Sequence, residues 1–253
     1  MRPLTDDTPK SLLPVAGRPL LDRLMKALPD WPALTAVHVA VNHRDADTYR
    51  AWADDWTGAF AEADVSLTIH DDGVDTPDEQ RGALGDLRFL LNQTGIPDDG
   101  ALVSGGDSLY RFPLAPLLQA YDGTTNRVLA LHEPDPDQRR QSSCLQLDGD
   151  RVTGLVEDPA AADTTRICPS WYLLAPAALS YVGSYLDTGR DPDTMGTFIH
   201  ALSRWQVVRA VRLPERPHLR LHCNTPDDLE RARTRLDEEP LHLLDADAVE
   251  MCL

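Results

Sequence analysis

The chain has 253 residues, enough for one large α/β domain or two small ones, and 42% of them are hydrophobic. Its 41 acidic residues outnumber the 24 lysines and arginines, and the formal net charge is −17. This charge argues against a protein that binds the phosphates of DNA or RNA. Because the sequence has no apolar run near the roughly 18 residues that span a bilayer, a membrane protein is also excluded.

The N-terminal segment lacks the uninterrupted apolar stretch that a secretory signal needs, since Asp6, Asp7, Thr8 and Pro9 fall within it. We therefore expect a cytoplasmic protein.

Apolar and amphipathic segments alternate through the first half of the chain, a pattern typical of βαβ units. The predicted helices are Pro19–Leu28, Asp45–Phe60, Asp78–Asn92 and Pro113–Tyr121. The predicted strands are Leu34–Asn42, Val65–His70, Gly100–Val103 and Asn126–His132. Four such alternations indicate an α/β fold with a doubly wound, mostly parallel sheet, which binds ligands at the carboxyl ends of its strands.

The second half has a different pattern, with shorter strands and an inserted β-hairpin. The predicted elements are strands at Ser142–Leu147, Arg151–Glu157, Ile167–Leu174, Val207–Leu213 and Leu219–Cys223, and helices at Ala175–Leu186 and Thr194–Trp205. Asp148-Gly149 suits a type I′ hairpin turn. Thr225 is predicted to cap a last helix, with Pro226 at its first position and Asp228 completing a near capping box.

The sequence contains no linker that divides it, so we expect a single domain over 1–237. Its two halves would be 1–133 and 134–237. The acidic segment 238–253 is expected to be a tail.

The segment from residue 2 to residue 21 carries a long motif: Pro3-Leu-Thr, three further residues, then Pro-Lys10-Ser-Leu-Leu-Pro-Val-Ala-Gly17-Arg-Pro-Leu-Leu21. It resembles the opening of the sugar-phosphate nucleotidyltransferases, which reads PLT, three variable residues, and PK-x-LLPV-x-G-x-PLL. Further matches follow in the family's order, and they are Gly82-Ala-Leu84, Leu102–Asp107, Arg151–Pro159, Trp171-Tyr172 and Asn224–Leu229. The resemblance covers the chain from residue 2 to about 237.

The resemblance implies a Rossmann-like nucleotidyltransferase fold, with 1–133 as its nucleotide-binding half and 134–237 as its acceptor-binding half. It also implies a specific reaction. The family transfers a nucleoside monophosphate from a nucleoside triphosphate to a phosphorylated acceptor, usually a sugar 1-phosphate, and releases pyrophosphate. The acceptor's phosphate oxygen attacks the α-phosphorus in line, and the protein positions two anions and neutralises their charge. The implied cofactor is Mg²⁺.

The resemblance places Lys10 against the triphosphate, and Asp107 at the position of the family's metal-binding aspartate. Gly105 and Gly106 precede this aspartate, and small residues there let the backbone approach a phosphate. Two structural alternatives stay open. Lys10 would then be a solvated surface charge, and Asp107 would cap a helix in the next segment.

Five more residues are candidates. Gln80 would contact the edge of the nucleobase, and Gly82 would allow close approach of the base or ribose, although Gly82 also suits an ordinary helix start. The resemblance assigns Glu157 and Tyr172 to the acceptor. His222 stands where the family often has a second metal-binding aspartate, so it is either a metal ligand or a structural histidine.

Three departures from the family pattern motivate a rival hypothesis. The family's opening strand and glycine-rich loop are absent before the PLT motif, Asp158 replaces an acceptor-binding lysine, and His222 replaces an aspartate. Either translation starts upstream or the chain has lost its triphosphate cradle. The rival is a catalytically inactive relative that serves as a binding or assembly partner.

The sequence leaves three further questions open. They are transfer to a pterin-type cofactor, the identity of the base and acceptor, and assembly into a homo-oligomer.

Overall fold

The structure is a computed structural model, and it describes residues 4–5, 8–15, 17–26, 28–29, 31–76, 79–112, 114–157, 159, 163–213, 219–222 and 225–238. The chain divides into two compact units. Unit 1 comprises Met1–Gln80, Gly106–Pro113 and Leu219–Leu253, and unit 2 comprises Arg81–Gly105 and Leu114–His218. The expectation of a single domain with halves at 1–133 and 134–237 stays a prediction.

The described residues form both helices and strands. The α-helices are α1 (Asp22–Met25), α2 (Ala46–Asp54), α3 (Thr57–Glu62), α4 (Ala83–Thr94), α5 (Ala115–Gln119), α6 (Pro136–Arg140), α7 (Pro176–Asp187), α8 (Met195–Leu202) and α9 (Pro226–Glu238). The strands are β1 (Pro14–Val15), β2 (Arg18–Pro19), β3 (Ala36–Val41), β4 (Ser66–Asp71), β5 (Ala101–Ser104), β6 (Ser108–Arg111), β7 (Asn126–His132), β8 (Ser143–Asp148), β9 (Arg151–Val156), β10 (Arg166–Cys168), β11 (Trp171–Leu174), β12 (Val208–Arg212) and β13 (Leu219–His222).

In the part of unit 1 that the structure describes, the strands form three pairs. β1 and β2 form a short antiparallel hairpin, β3 and β4 are parallel, and β6 and β13 are antiparallel. Apolar side chains from α1, α2 and α3 share a core with residues that flank the parallel pair, and its buried members include Met25, Trp52, Phe60 and Val65. This core anchors the segment that contains Lys10, because Leu12 belongs to it.

Unit 2 contains a seven-stranded sheet in the order β10-β8-β9-β12-β7-β11-β5. Within this sheet β12 and β7 are parallel, whereas the other recorded pairings are antiparallel. Helices α4, α7 and α8 contribute to its core, through side chains such as Leu84, Val182 and Phe198. The apolar stripes of these helices are therefore buried against the sheet.

The predicted α/β class is confirmed, but the described strands form mixed sheets instead of a mostly parallel one. β8 and β9 form a hairpin, and β11 lies antiparallel between β5 and β7. A period-2 apolar pattern fixes which face of a strand is buried, but it carries no information on the direction of the neighbouring strand. The sequence pattern therefore could not distinguish these pairings from parallel ones.

Several predicted elements are interrupted in the structure. The helix expected at Asp45–Phe60 is divided into α2 and α3, with Trp52 and Trp56 both donating indole hydrogen bonds to Asp22 Oδ1, at 2.7 and 3.2 Å. The strand expected at Ile167–Leu174 is divided into β10 and β11 by a break at which Ser170 has a φ of 63°. Both breaks depend on the local backbone or on tertiary contacts, which apolar periodicity does not reveal.

The hairpin turn differs from its prediction by one residue. β8 ends at Asp148 and β9 begins at Arg151, so Gly149 and Asp150 form the turn. Gly149 has a φ of 62°, and Asp150 does not have a positive φ. A type I′ turn needs positive φ at both positions, so the predicted I′ turn is wrong, and a positive φ at the first position alone is the II′ pattern.

None of the helices within the described ranges is long and apolar enough to cross a membrane.

Candidate functional site

Unit 1 brings two of the predicted site residues into direct contact. Lys10 Nζ donates a hydrogen bond to Asp107 Oδ2 at 2.9 Å, although the two residues are 97 positions apart in the chain. The side chains are 29% and 42% exposed, so both charges are accessible to a small ligand. A cation and a carboxylate at one accessible point are suited to binding an anionic substrate together with a metal ion.

The backbone around Lys10 is held by a network of hydrogen bonds. Lys10 begins a 3-10 helix over Lys10–Leu12, and the Leu21 amide donates to the Ser11 carbonyl at 2.9 Å. The Ser11 hydroxyl shares a hydrogen bond of 2.5 Å with the Tyr49 hydroxyl. Burial raises the pKa of Tyr49, which keeps its phenol protonated in this contact. These bonds fix the direction from which the lysine side chain leaves the backbone.

Asp107 lies between β5 and β6, and Gly106 beside it packs against the Lys10 segment. A Cβ on Gly106 would be 3.4 Å from Leu21 Cδ1 and 3.6 Å from Ser11 Cβ, so the backbone of Gly106 lies close to both residues. Asp107 is followed by strand β6, not by a helix. The alternative reading of Asp107 as a helix cap is therefore wrong.

The carboxylate of Asp107 has a second neighbour, since the Ser108 hydroxyl donates to Asp107 Oδ1 at 3.1 Å. In the β6–β13 pair, His222 is the register partner of Ser108. The two strands thus place His222 in register with the residue that follows Asp107. The side chain of His222, like Asp158 and Asn224, lies outside the described residues.

The residues around Asp107 fit a hard divalent cation. Mg²⁺ is usually bound by one or two carboxylates, and substrate phosphates and water complete its octahedral coordination. The partly exposed Asp107 carboxylate can supply one such ligand. In the part of the chain that the structure describes, no group of three or more His, Cys, Asp or Glu side chains could hold a metal.

The predicted nucleotide-binding residues Gln80, Gly82 and Gly105 are placed on loops. Gln80 and Gly105 are exposed. Gly82 is the N-cap of α4 with a φ of 73°, and a Cβ there would be 2.7 Å from the Pro192 carbonyl oxygen. The backbone at Pro192 and Asp193 therefore makes the close approach to Gly82 in this structure. Contact of Gly82 with a nucleotide stays a prediction.

The two predicted acceptor residues lie in unit 2. Glu157 directly follows β9 and is half-buried, and its Oε2 accepts a hydrogen bond of 2.5 Å from the Ser143 hydroxyl. Tyr172 is in β11 and belongs to the hydrophobic core, with 2% exposure. Burial raises the pKa of Tyr172 well above its usual value, and the nearby Cys168 and Glu157 add to the effect. Contact of either residue with an acceptor stays a prediction.

The sequence reasoning did not single out the serines that bond the two carboxylates. Ser108 bonds Asp107, and Ser143 bonds Glu157. A signal was available for Ser108, which directly follows the proposed metal-binding aspartate. Ser143 is fourteen positions from Glu157 and becomes its neighbour through the β8–β9 hairpin, so only a correct strand register would have identified it.

Comparisons with known proteins identify the family and the relatives of this chain. The nucleotidyl transferase family model matches residues 1–210. A curated relative, the UTP–glucose-1-phosphate uridylyltransferase AglF of Haloferax volcanii, is 24% identical over 242 residues, which cover 94% of this chain and 92% of the relative.

Solved structures share the fold. One, described as a glucose-1-phosphate thymidylyltransferase from Bacillus anthracis in complex with sucrose, has a TM-score of 0.76 at 17% identity and covers 93% of this chain and 89% of its own. The CTP:phosphocholine cytidylyltransferase LicC of Streptococcus pneumoniae has a TM-score of 0.67 at 15% identity, with 93% of both chains covered. The fold is therefore the Rossmann-like α/β fold of these enzymes. With the family model matching most of its length, the chain belongs to the nucleotidyl transferase family.

Proposed function

We propose that the protein transfers a nucleoside monophosphate from a nucleoside triphosphate to a sugar 1-phosphate. An oxygen of the acceptor phosphate forms a bond to the α-phosphorus while the bond from that phosphorus to the bridging β-phosphate oxygen breaks. The products are a nucleotide sugar and pyrophosphate. The protein's main task in such a reaction is to position two anions and stabilise the charge that develops on the transferred group.

The observation that carries this proposal is the contact between Lys10 and Asp107 at 2.9 Å. Lys10 would bind the triphosphate through its ammonium group, as a point charge with three donors. Asp107 would hold a divalent cation, with Ser108 orienting one carboxylate oxygen. When bound, Mg²⁺ supplies charge neutralisation on the phosphates, and we propose it as the cofactor, with His222 as a second candidate ligand.

UTP and glucose 1-phosphate are the first substrates to test, because the curated relative at 24% identity is named for them. Solved neighbours named for other bases and acceptors widen the choice to dTTP and CTP, and to phosphocholine and inositol 1-phosphate. Glu157 and Tyr172 are proposed to belong to the acceptor region of unit 2. Gln80, Gly82 and Gly105 are proposed to contact the nucleotide.

The catalytically inactive alternative receives no support from the comparisons, in which the named relatives are nucleotidyltransferases. The cytoplasmic location expected from the sequence and assembly into a homo-oligomer stay predictions.

The test is release of pyrophosphate, measured with a coupled phosphate assay, for each pair of triphosphate and acceptor in the presence of Mg²⁺. We expect one pair to give clear turnover and chelation of the metal to abolish it. Asp107→Asn should lower kcat at least about a hundredfold, the usual loss when one charge-stabilising group is removed.

The matched control is Asp98→Asn, a substitution of an exposed aspartate in the loop after α4. It should leave turnover unchanged. Turnover that survives Asp107→Asn, or the absence of pyrophosphate with every pair, would refute the proposal.

A further inference from the structure

Two residues from other parts of the chain contact the Glu157 carboxylate, Ser143 in β8 and Gly196 in α8. Ser143 begins β8, is 5% exposed, and its hydroxyl donates a hydrogen bond to Glu157 Oε2 at 2.5 Å. The register of the β8–β9 hairpin pairs Cys144 with Val156, so Ser143 and Glu157 follow as the next opposed residues. One carboxylate oxygen therefore has a buried, fixed donor.

The other oxygen lies against the first turn of α8. A side chain on Gly196 would overlap Glu157 Oε1 and Leu155 Cδ2. Gly196 has no left-handed φ, so the requirement for glycine here is one of space, not of backbone conformation. The first turn of a helix also favours a neighbouring negative charge. Gly196 thus leaves the space that the carboxylate occupies.

We propose that Ser143 and Gly196 are positioning residues that hold the Glu157 carboxylate in one orientation to accept hydrogen bonds from hydroxyl groups of the acceptor. The inference rests on the proposed function and narrows its acceptor to a polyhydroxylated phosphate. An ionised carboxylate has about four acceptor positions. The serine occupies one of them, and the remaining positions can receive substrate hydroxyls.

The choice of acceptor provides one test of this role. Glucose 1-phosphate and inositol 1-phosphate carry hydroxyls that a fixed carboxylate can bind, whereas phosphocholine carries none. We expect the Ser143→Ala variant to lose activity toward the first two compounds. An activity with phosphocholine equal to that with glucose 1-phosphate in the wild type would overturn the assignment.

The main experiment compares Ser143→Ala with Ser142→Ala. Ser142 is also buried, at 7% exposure, but its hydroxyl donates to the Gln138 carbonyl at 2.8 Å. Ser143→Ala should raise KM for glucose 1-phosphate about tenfold, since a hydrogen bond to a charged group is lost. KM for the triphosphate should not change, and Ser142→Ala should leave both KM values as in the wild type.

A double-mutant cycle separates positioning from general stability. If Ser143 acts through Glu157, then Ser143→Ala should add little to the acceptor KM of Glu157→Gln. Ser143→Cys, which keeps a weak donor of similar size, should recover part of the acceptor affinity.

Gly196→Ala provides an independent variant, with Gly183→Ala in α7 as its control because a Cβ there meets nothing within 4 Å. Gly196→Ala should raise the acceptor KM, while Gly183→Ala should not.

The outcomes distinguish this inference from the proposed function. If the wild type releases pyrophosphate but Ser143→Ala raises both KM values equally or neither, the inference fails and the function stands. If the wild type shows no turnover with any pair, the proposed function fails and the inference fails with it.

Discussion

Lys10 and Asp107 form an ion pair in unit 1, with 2.9 Å between Nζ and Oδ2. Ion pairs that are this exposed contribute only about 0–1 kcal/mol to stability, so the pair has little structural value. Under the proposed function its importance is electrostatic, because each charge would balance the other before ligands bind. A divalent cation would then compete with Lys10 for the carboxylate, and a phosphate would compete with Asp107 for the ammonium group.

Removing the lysine should strengthen metal binding while it weakens catalysis. We expect Lys10→Met to raise the affinity for Mn²⁺ in the absence of nucleotide by about two- to fivefold, equivalent to at most about 1 kcal/mol of released competition. Pyrophosphate release should fall at the same time, by about a hundredfold. Electron paramagnetic resonance of free Mn²⁺ measures the first effect and the coupled assay the second.

Lys26→Met is the control for this experiment, because Lys26 is the second of only two lysines and is exposed. It should change neither measurement. A Mn²⁺ affinity that is unchanged or lower in Lys10→Met would show that the two charges do not compete.

The glycines at the two ends of α4 should differ in their tolerance of a side chain. Gly82 and Gly95 have φ values of 73° and 79°, so alanine costs a similar amount of backbone strain at each, about 1–2 kcal/mol. Only at Gly82 would the Cβ also meet backbone, 2.7 Å from the Pro192 oxygen and 2.6 Å from Asp193 Cα. At Gly95 it meets nothing within 4 Å.

We therefore expect Gly82→Ala to lower the free energy of unfolding by about 1–3 kcal/mol more than Gly95→Ala, the usual cost of such overlap. Urea denaturation followed by circular dichroism gives both values. Equal losses in the two variants would mean that the loop at Pro192 moves away without cost.

His43, two residues after β3, and Asp71, the last residue of β4, should make stability depend on pH. His43 Nδ1 is 2.8 Å from Asp71 Oδ2. This hydrogen bond raises the pKa of His43 above 6.5, and the charges of Asp71 and Asp75 raise it further. The Gly73 amide and then His43 lower the pKa of Asp71 below 3.8.

A raised histidine pKa stabilises the folded state below the unfolded value of 6.5 and loses this effect as the pH rises through the folded pKa. A lowered aspartate pKa stabilises it above 3.8 and loses the effect as the pH falls. The wild type should therefore exceed His43→Gln in stability most clearly between these two pH values. Urea midpoints across that range and above it test the expectation, and a difference that does not vary with pH would contradict it.

Local signals in the sequence were sufficient for individual elements. Strand β7 occupies Asn126–His132, as its run of apolar residues predicted. α4 begins at Ala83 instead of Asp78, because Gly82 caps it against the loop at Pro192. The sequence shows the glycine, but it does not show that the loop at Pro192 packs against it.

The sequence predicted individual residues of the candidate site, but not the contacts between them. The family resemblance proposed roles for Lys10 and Asp107 separately, and their contact depends on the packing of Gly106 against Ser11 and Leu21. Ser143 could not be found, because its role depends on a hairpin register that apolar alternation leaves open. The Lys10–Asp107 contact and the Ser143–Glu157 contact both join residues that are far apart in the sequence.

The cap of α9 is a local prediction that the structure confirms in detail, and it can be tested alone. The Asp228 amide donates to Thr225 Oγ1 at 3.1 Å, and the Thr225 amide donates to Asp228 Oδ2 at 2.8 Å, which completes the capping box. Thr225→Ala removes the acceptor of the Asp228 amide and should lower the free energy of unfolding by about 1 kcal/mol. Thr234→Ala is the control, because the Thr234 hydroxyl bonds the Glu230 carbonyl within the helix and alanine is the better helix former. Thermal denaturation should show a lower Tm for the first variant only, and an equal Tm in both would mean that α9 does not depend on its cap.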